Sequence, residues 1–135
     1  MIKVLFVCHG NICRSTMAEC VFNDILERNS DKTMCCDSSA TSTEEIGNPV
    51  HYGTRRVLER HGIPVGNHRA KQMKPSDYED FDLLIGMDSA NIRNMTRIAG
   101  GDSQNKIKNS SHFVEVPKML QTLGTPGILI QPTTM

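Results

Sequence analysis

Cys8-His9-Gly10-Asn11-Ile12-Cys13-Arg14-Ser15 decides the reading of this chain. A cysteine and an arginine bracket five residues, and a serine follows at once. Upstream, Ile2-Lys3-Val4-Leu5-Phe6-Val7 is an apolar, β-branched run of strand length. Downstream, Thr16-Met17-Ala18-Glu19 has the spacing of a capping box and opens a helical pattern. The motif therefore lies on a strand-loop-helix turn. In such a turn successive backbone N–H groups can converge on one anion, and the helix dipole adds positive potential. Arg14, at the loop's end, can grip two phosphoryl oxygens with its planar fork. Cys8, at its start, sits in a field that favours the thiolate. The expected result is a thiolate nucleophile facing a bound phosphate. A structural cysteine and a surface arginine could share the spacing by chance. That reading leaves Gly10, Asn11, Ser15 and the helix beyond without a reason.

These residues resemble the signature of the low-molecular-weight protein tyrosine phosphatase family, C-x-G-N-x-C-R-S-P. Only the final proline departs, replaced by Thr16; proline is favoured at the first helical position but is not required there. The resemblance continues in Asp37-Ser38-Ser39-Ala40-Thr41, Glu45-Ile46-Gly47-Asn48-Pro49, His61-Gly62-Ile63-Pro64, and from Phe81-Asp82 through Met87-Asp88. It implies that Cys8, Arg14 and Ser15 are catalytic. It implies that His9, Gly10, Asn11, Ile12, Cys13 and Arg14 bind phosphate. Ser38, bonded to Asn11, and Asp88, beside the Arg14 side chain, would support the loop. Cys8 and Cys13 would form a reversible disulfide that protects the nucleophile from overoxidation; a small packed side chain is the other reading of Cys13. Glu44 stands where many family members place an aromatic beside the substrate ring.

Other readings come from the residues themselves. Asn11 can adopt a left-handed backbone at low cost, which a tight anion loop needs. The Ser15 hydroxyl can donate to the Cys8 sulfur, or cap the helix. His9 is read as a rim histidine. His61, before the C′ glycine Gly62, suits a helix C-terminus. His68 lies in the polar segment Asn67-His68-Arg69-Ala70-Lys71-Gln72, where the residue types leave its role open. Cys35 and Cys36 are strand neighbours facing opposite ways, and are read as structural.

At 135 residues the chain is one domain with a single core. Fifteen basic and fifteen acidic residues cancel, which removes the electrostatic case for nucleic-acid or membrane partners. The apolar N-terminal run is too short for a signal peptide, and no stretch approaches a membrane span. Five cysteines, in no zinc-like spacing with histidines, suit a reduced, cytoplasmic setting. A monomer is expected, with no metal and no cofactor.

The elements read βαβααβα. Strands are expected at residues 2–7, 32–37 and 82–87, and helices at 16–29, 49–61, 75–80 and 89–98. In the first helix Met17, Val21 and Ile25 adjoin Ala18, Phe22 and Leu26 as two apolar rows. Asp88 caps the last. The fold class is α/β: one doubly wound domain, its phosphate loop between the first strand and first helix. The family's parallel sheet has four strands; three remain if the end of the chain supplies none.

That end departs from the family. Residues 1–108 read as the phosphatase-like domain and 109–135 as a divergent tail. After Lys108 only Glu115 and Lys118 are charged acids or bases, and helical periodicity disappears. The family's D-P-[YW]-Y segment, whose aspartate protonates the leaving phenolate, is missing, and no aspartate follows Asp102. The final helix is missing too. A frameshift accounts for this. Permitted codons for Lys118 through Ile130, read from the third letter, give DVADPWYTGDFD, which contains D-P-W-Y. The same shift turns Asn109 to Phe113 into the apolar run K-L-L-T-F. One nucleotide lost near Lys108-Asn109, where codons can form a run of A, would suffice. A naturally divergent C-terminus is the alternative.

The function that follows is hydrolysis of phosphotyrosine proteins or small aryl phosphates through a cysteinyl-phosphate. Arsenate reduction on the same fold would need resolving cysteines downstream, and none follows Cys36. An arginine phosphatase relative usually has threonine where Ile12 stands. An oxyanion-binding protein impaired in catalysis is the reading that fits a complete loop without a general acid.

Overall fold

The computed structural model describes residues 1–112. Its elements run β1 (Ile2–Cys8), α1 (Arg14–Arg28), β2 (Met34–Ala40), α2 (Tyr52–Arg60), α3 (Asp77–Asp80), β3 (Leu83–Gly86), α4 (Ser89–Ala99) and β4 (Ile107–Asn109), then a 3₁₀ turn over Ser110–His112. The four strands form one parallel sheet in the order β2-β1-β3-β4. The fourth strand is therefore present in the chain as it stands. Sequence expectations for residues 113–135 lie outside the described residues, among them the absent general-acid segment and final helix.

Alternation along β1 explains both faces of the sheet. Val4 and Phe6 point to one side, where Met17, Ala18 and Val21 of α1 and Val57 and Leu58 of α2 cover them. Leu5 and Val7 point to the other, against Tyr78, Leu84, Met95 and Ile107. A strand buried on both faces must read as continuously apolar, and this one does. α4 crosses β3 closely at Gly86. A Cβ there would lie 2.8 Å from both Ile92 Cδ1 and Met95 Sδ, so only glycine admits the contact.

Several boundaries differ from the sequence reading, each for a local reason. β2 starts later and runs on to Ala40, because Ser38 and Ser39 are buried although polar. α2 begins at Tyr52 rather than Pro49; Pro49 instead bridges Arg69 in extended backbone. α3 begins at Asp77, whose carboxylate accepts the Lys74 N–H at 2.8 Å. α1 starts at Arg14, so Thr16 lies inside it and cannot cap it. The Thr16 hydroxyl turns back onto the Cys13 carbonyl at 2.9 Å. No capping box forms, because the Glu19 carboxylate is drawn across to β2 (below). The Asp88 cap is present: its Oδ1 accepts from the Asn91 N–H at 2.8 Å. Gly62 follows the last residue of α2's cap in left-handed backbone, φ 70°.

Candidate active site

The phosphate loop, residues 9–13, joins the carboxyl end of β1 to the amino end of α1. This is the edge of a parallel sheet where ligands bind in α/β folds. Cys8 is the last residue of β1 and is buried. The Asn11 N–H points at its sulfur from 3.2 Å, and Ser15 Oγ lies 3.0 Å from it.

Asn11 determines who donates to whom. It has φ 58°, the left-handed conformation expected of it, and no exposed surface. The Lys71 backbone N–H, which can only donate, meets its Oδ1 at 3.1 Å. The amide's orientation is thereby set, and Nδ2 faces Ser15 Oγ at 2.9 Å. Ser15 Oγ is thus an acceptor from Asn11, which leaves its own proton for the Cys8 sulfur. By the same logic His68, whose Nε2 is 2.8 Å from Asn11 Oδ1, carries its proton on Nε2. Two donors therefore converge on the Cys8 sulfur, and the Asn11 amide that orients Ser15 is fixed in turn by Lys71, sixty positions after Asn11. Both point a proton at the sulfur.

Ser38 is not bonded to Asn11 directly. Its hydroxyl donates to Glu19 Oε1 at 2.5 Å and lies 3.5 Å from His68 Nε2, so His68 stands between Ser38 and Asn11. Glu19 Oε1 is in turn 3.6 Å from His68 Nδ1. Burial pushes the Glu19 carboxyl above its usual range, against the pull of the Ser38 hydroxyl. Burial also pushes His68 below the usual imidazole value. Glu19, Asp37 and His68 bring three potential ligand atoms within 4.8 Å of one another. Each is already engaged: Glu19 by Ser38, His68 by Asn11, and Asp37 by the Lys71 ammonium.

Arg14 donates from Nη1 to Asp88 Oδ2 at 3.0 Å. Asp88 thus serves both readings made of it, aiming the guanidinium with one oxygen and capping α4 with the other. Cys13 is half-buried, 3.0 Å from the Thr54 hydroxyl. Burial raises its thiol pKa, and the Thr54 contact opposes this. Ile12 gives its carbonyl to the His51 N–H at 2.7 Å, which ties the loop to α2. Gly10 leaves space for the Glu45 side chain; a Cβ there would meet Glu45 Cγ at 3.3 Å. His9 is at the rim, as expected, with Nε2 3.0 Å from Glu44 Oε2. Cys20 and Cys36 are packed thiols whose pKa values burial raises, that of Cys20 to about 12.

Sequence reasoning missed Thr54, read Glu19 as part of a capping box and left the role of His68 open. A signal existed for His68: in residues 68–71, His68 and Ala70 turn inward while Arg69 and Lys71 are exposed. That alternation belongs to an extended segment with one buried face.

Known proteins resemble this chain in sequence and fold. The family model for low molecular weight phosphotyrosine protein phosphatases matches residues 3–123, running past Lys108 into the tail. The low molecular weight protein-tyrosine-phosphatase YfkJ of Bacillus subtilis is 41% identical over 116 residues, covering 85% of this chain and 74% of that protein. The human low molecular weight phosphotyrosine protein phosphatase is 40% identical over 115 residues, covering 84% and 69%. The crystal structure of YfkJ superposes with a TM-score of 0.81, covering 85% of this chain and 73% of that one. The Streptococcus pyogenes enzyme SP-PTP superposes with a TM-score of 0.77 at 36% identity, covering 91% and 86%.

Proposed function

The chain belongs to the low molecular weight phosphotyrosine protein phosphatase family, and from that premise we propose how its residues hydrolyse phosphotyrosine and small aryl phosphates. The Cys8 thiolate attacks phosphorus in line. A sulfur–phosphorus bond forms as the phosphorus–oxygen bond to the phenol breaks. N–H groups of residues 9–14 and the Arg14 fork stabilise the equatorial oxygens. Ser15 and the Asn11 N–H hold the sulfur's charge before attack and again as it leaves. Water then cleaves the cysteinyl-phosphate, releasing inorganic phosphate. The observation that carries this reading is the pair of donors on Cys8, at 3.0 and 3.2 Å, with Arg14 at the loop's other end. The substrate is a phosphotyrosine protein or a small aryl phosphate, and the chain acts as a monomer in the cytoplasm. No helix among the described residues is long and apolar enough to cross a membrane.

The test is direct. Cys8→Ser abolishes phosphate release from p-nitrophenyl phosphate while the circular dichroism spectrum is kept; turnover by that variant overturns the mechanism. Arg14→Lys fails too, because a point ammonium cannot replace the bidentate fork. Peroxide oxidises Cys8 to a sulfenic acid, and the Cys13 thiol condenses with it, releasing water. A thiol reductant restores activity. Irreversible loss, with no mass signature of the pair, makes Cys13 structural.

Residues 109–135 are the divergent tail. Without an aspartate after Asp102 the leaving group is not protonated from there. General acid catalysis contributes about 10²–10⁴-fold, so turnover is weak and weakest for alkyl phosphates. The same absence favours a second reading, an oxyanion-binding protein with little turnover. Rebuilding the tail in the neighbouring frame distinguishes them: it raises the rate on alkyl phosphates if the missing acid is the cause. Equal rates for both chains overturn this account of the tail.

A further inference from the structure

Three threonines stand in the described helices, and one of them is used differently. The Thr16 hydroxyl turns back onto the Cys13 carbonyl at 2.9 Å, and the Thr96 hydroxyl onto the Ile92 carbonyl at 2.8 Å. Such local bonds are where a helical threonine ordinarily places its proton. Thr54, in the first turn of α2, is fully buried, yet its hydroxyl meets no carbonyl among the described residues. It is aimed off its own helix at the Cys13 sulfur, 3.0 Å away.

Both partners of this contact are fixed. The Cys13 carbonyl accepts from the Met17 N–H at 2.8 Å as well as from Thr16, which ties its backbone to α1. The His51 N–H on the Ile12 carbonyl at 2.7 Å, and the Arg55 N–H on the His51 carbonyl at 2.9 Å, tie the start of α2 to the same loop. With Cys13 as a thiol, either atom of the pair can give the proton. With Cys13 as a thiolate only Thr54 can, and the bond is then charge-assisted. The contact therefore favours the thiolate. Other groups act on the same sulfur. Burial raises its pKa most and the Thr54 hydroxyl opposes this; Cys8 raises it further and the Arg14 guanidinium lowers it.

We propose that Thr54 is a positioning residue for Cys13, its hydroxyl holding that sulfur ready to close a disulfide with an oxidised Cys8. The inference rests on the reading of Cys8 and Cys13 as a redox pair and adds the group that makes the second cysteine competent. Hydrogen peroxide takes two electrons from the Cys8 thiolate, leaving a sulfenic acid and hydroxide. The Cys13 sulfur then attacks the Cys8 sulfur. A sulfur–sulfur bond forms, the sulfur–oxygen bond breaks, and the departing hydroxide takes up the proton lost by Cys13, as water. Thr54 keeps its own proton throughout.

The experiment removes the hydroxyl and then restores it. Thr54→Val keeps the shape without the donor, and Thr54→Ser keeps the donor. In Cys8→Ser protein, alkylation of Cys13 by iodoacetamide is followed against pH and located by peptide mass spectrometry. Thr54→Val moves the midpoint up by about one to two pH units, the scale of a hydrogen bond to a charged group, and Thr54→Ser returns it. A thiol of higher pKa is scarcer as thiolate but a better nucleophile, with a Brønsted slope of about 0.4–0.5. With Cys8 intact, disulfide closure after peroxide therefore slows only about three- to tenfold in Thr54→Val. More of Cys8 then goes on to the irreversible sulfinic acid. Under reductant, kcat/KM on p-nitrophenyl phosphate is unchanged, because the Thr54 hydroxyl bonds to neither Cys8 nor Arg14. A midpoint that Thr54→Val leaves in place, one that Thr54→Ser does not return, or a phosphatase rate that falls in Thr54→Val overturns the proposal. If the wild-type protein closes no Cys8–Cys13 disulfide, the redox pairing falls and the proposal with it. If both proteins close it equally fast, the pairing stands and the role of Thr54 alone is overturned.

Discussion

A histidine and a glutamate meet on each side of the phosphate loop, and the two pairs do different work. On the inner side, His68 and Glu19 have side chains only 12% and 17% exposed. On the outer side, His9 and Glu44 are 57% and 70% exposed. The residue types are the same, but the surroundings decide what they contribute. Buried, the pair must be completed by hydrogen bonds, and it is: Ser38 serves Glu19 and Asn11 serves His68. An incomplete buried network is costly, so the inner pair transmits one fixed geometry to Asn11. Water serves the outer pair whenever it opens, so that pair is free to exchange partners. The inner side shapes the loop and the outer side meets what arrives.

The largest effect comes from cutting the inner side at its centre. Asn11→Ala removes the side chain that links Ser15, His68 and Lys71, and leaves a non-glycine residue with a left-handed backbone. Loss of about 2–4 kcal/mol of stability is expected from stranded buried partners and backbone strain together, with near-complete loss of turnover. Urea unfolding and a phosphate-release assay read both. A stable, active Asn11→Ala protein breaks the comparison, since the outer contacts alone would then suffice to shape the loop.

A smaller effect isolates one link. Ser15→Ala leaves the Cys8 sulfur with the Asn11 N–H as its donor. A hydrogen bond to a charged group corresponds to about a ten- to hundredfold change in rate. Rapid-quench measurement shows whether the loss falls on formation of the cysteinyl-phosphate, on its breakdown, or on both. Equal loss in both is expected, because the sulfur carries charge at the start of one step and the end of the other. An unchanged rate removes Ser15 from the mechanism.

The smallest effect compares the histidines directly. His68 has its pKa held below the imidazole value of 6.5, chiefly by burial, with the Lys71 ammonium also lowering it and Asp37 opposing. Just below pH 6.5 the unfolded chain therefore binds more protons at this residue than the folded one. The stability due to neutral His68 is complete above pH 6.5 and is lost as pH falls toward the folded value. Glu19 acts in the opposite sense. Its raised pKa means that stability is lost as pH rises from 4.5 through the folded value. The stability difference between wild type and His68→Gln is thus largest above pH 6.5 and shrinks below it. His9→Gln changes stability by less than about 0.5 kcal/mol throughout, as exposed substitutions do. Urea melts of the three proteins across this range measure it. A His9→Gln effect as large as that of His68→Gln would erase the distinction between the two sides.

The loop's own residues and its outer rim were the more legible in the sequence. Cys8, Arg14 and Asn11 announce themselves because nucleophile, fork and left-handed turn lie within one short run, where spacing alone carries the chemistry. His9 follows Cys8 and needs no tertiary knowledge to place at the rim. The inner side was hidden because its members are far apart along the chain. Lys71 and Asn11 are sixty positions apart, and nothing local to Asn67–Gln72 announces that its backbone closes an asparagine amide. Glu19 looked like half of a capping box because the spacing was right. The helix starts three residues earlier than that box requires, and burial turned the carboxylate to Ser38 instead. In the fold the apolar runs were reliable where burial is two-sided, as in β1. They failed where a strand is buried but polar, as at Ser38 and Ser39 in β2.

β1 is the first element of the chain and also lies inside the sheet, between β2 and β3. Parallel neighbours cannot be joined by a tight turn; each needs a crossover of about a dozen residues or more. During synthesis, then, the nucleophile leaves the ribosome long before the strands that flank it. Its loop gains a fixed shape only once His68 and Lys71 have followed, and its guanidinium is aimed only once Asp88 has. A nascent chain shorter than that carries a cysteine with no phosphate site around it. The order of the strands thus delays the reactive centre until most of the domain exists to enclose it.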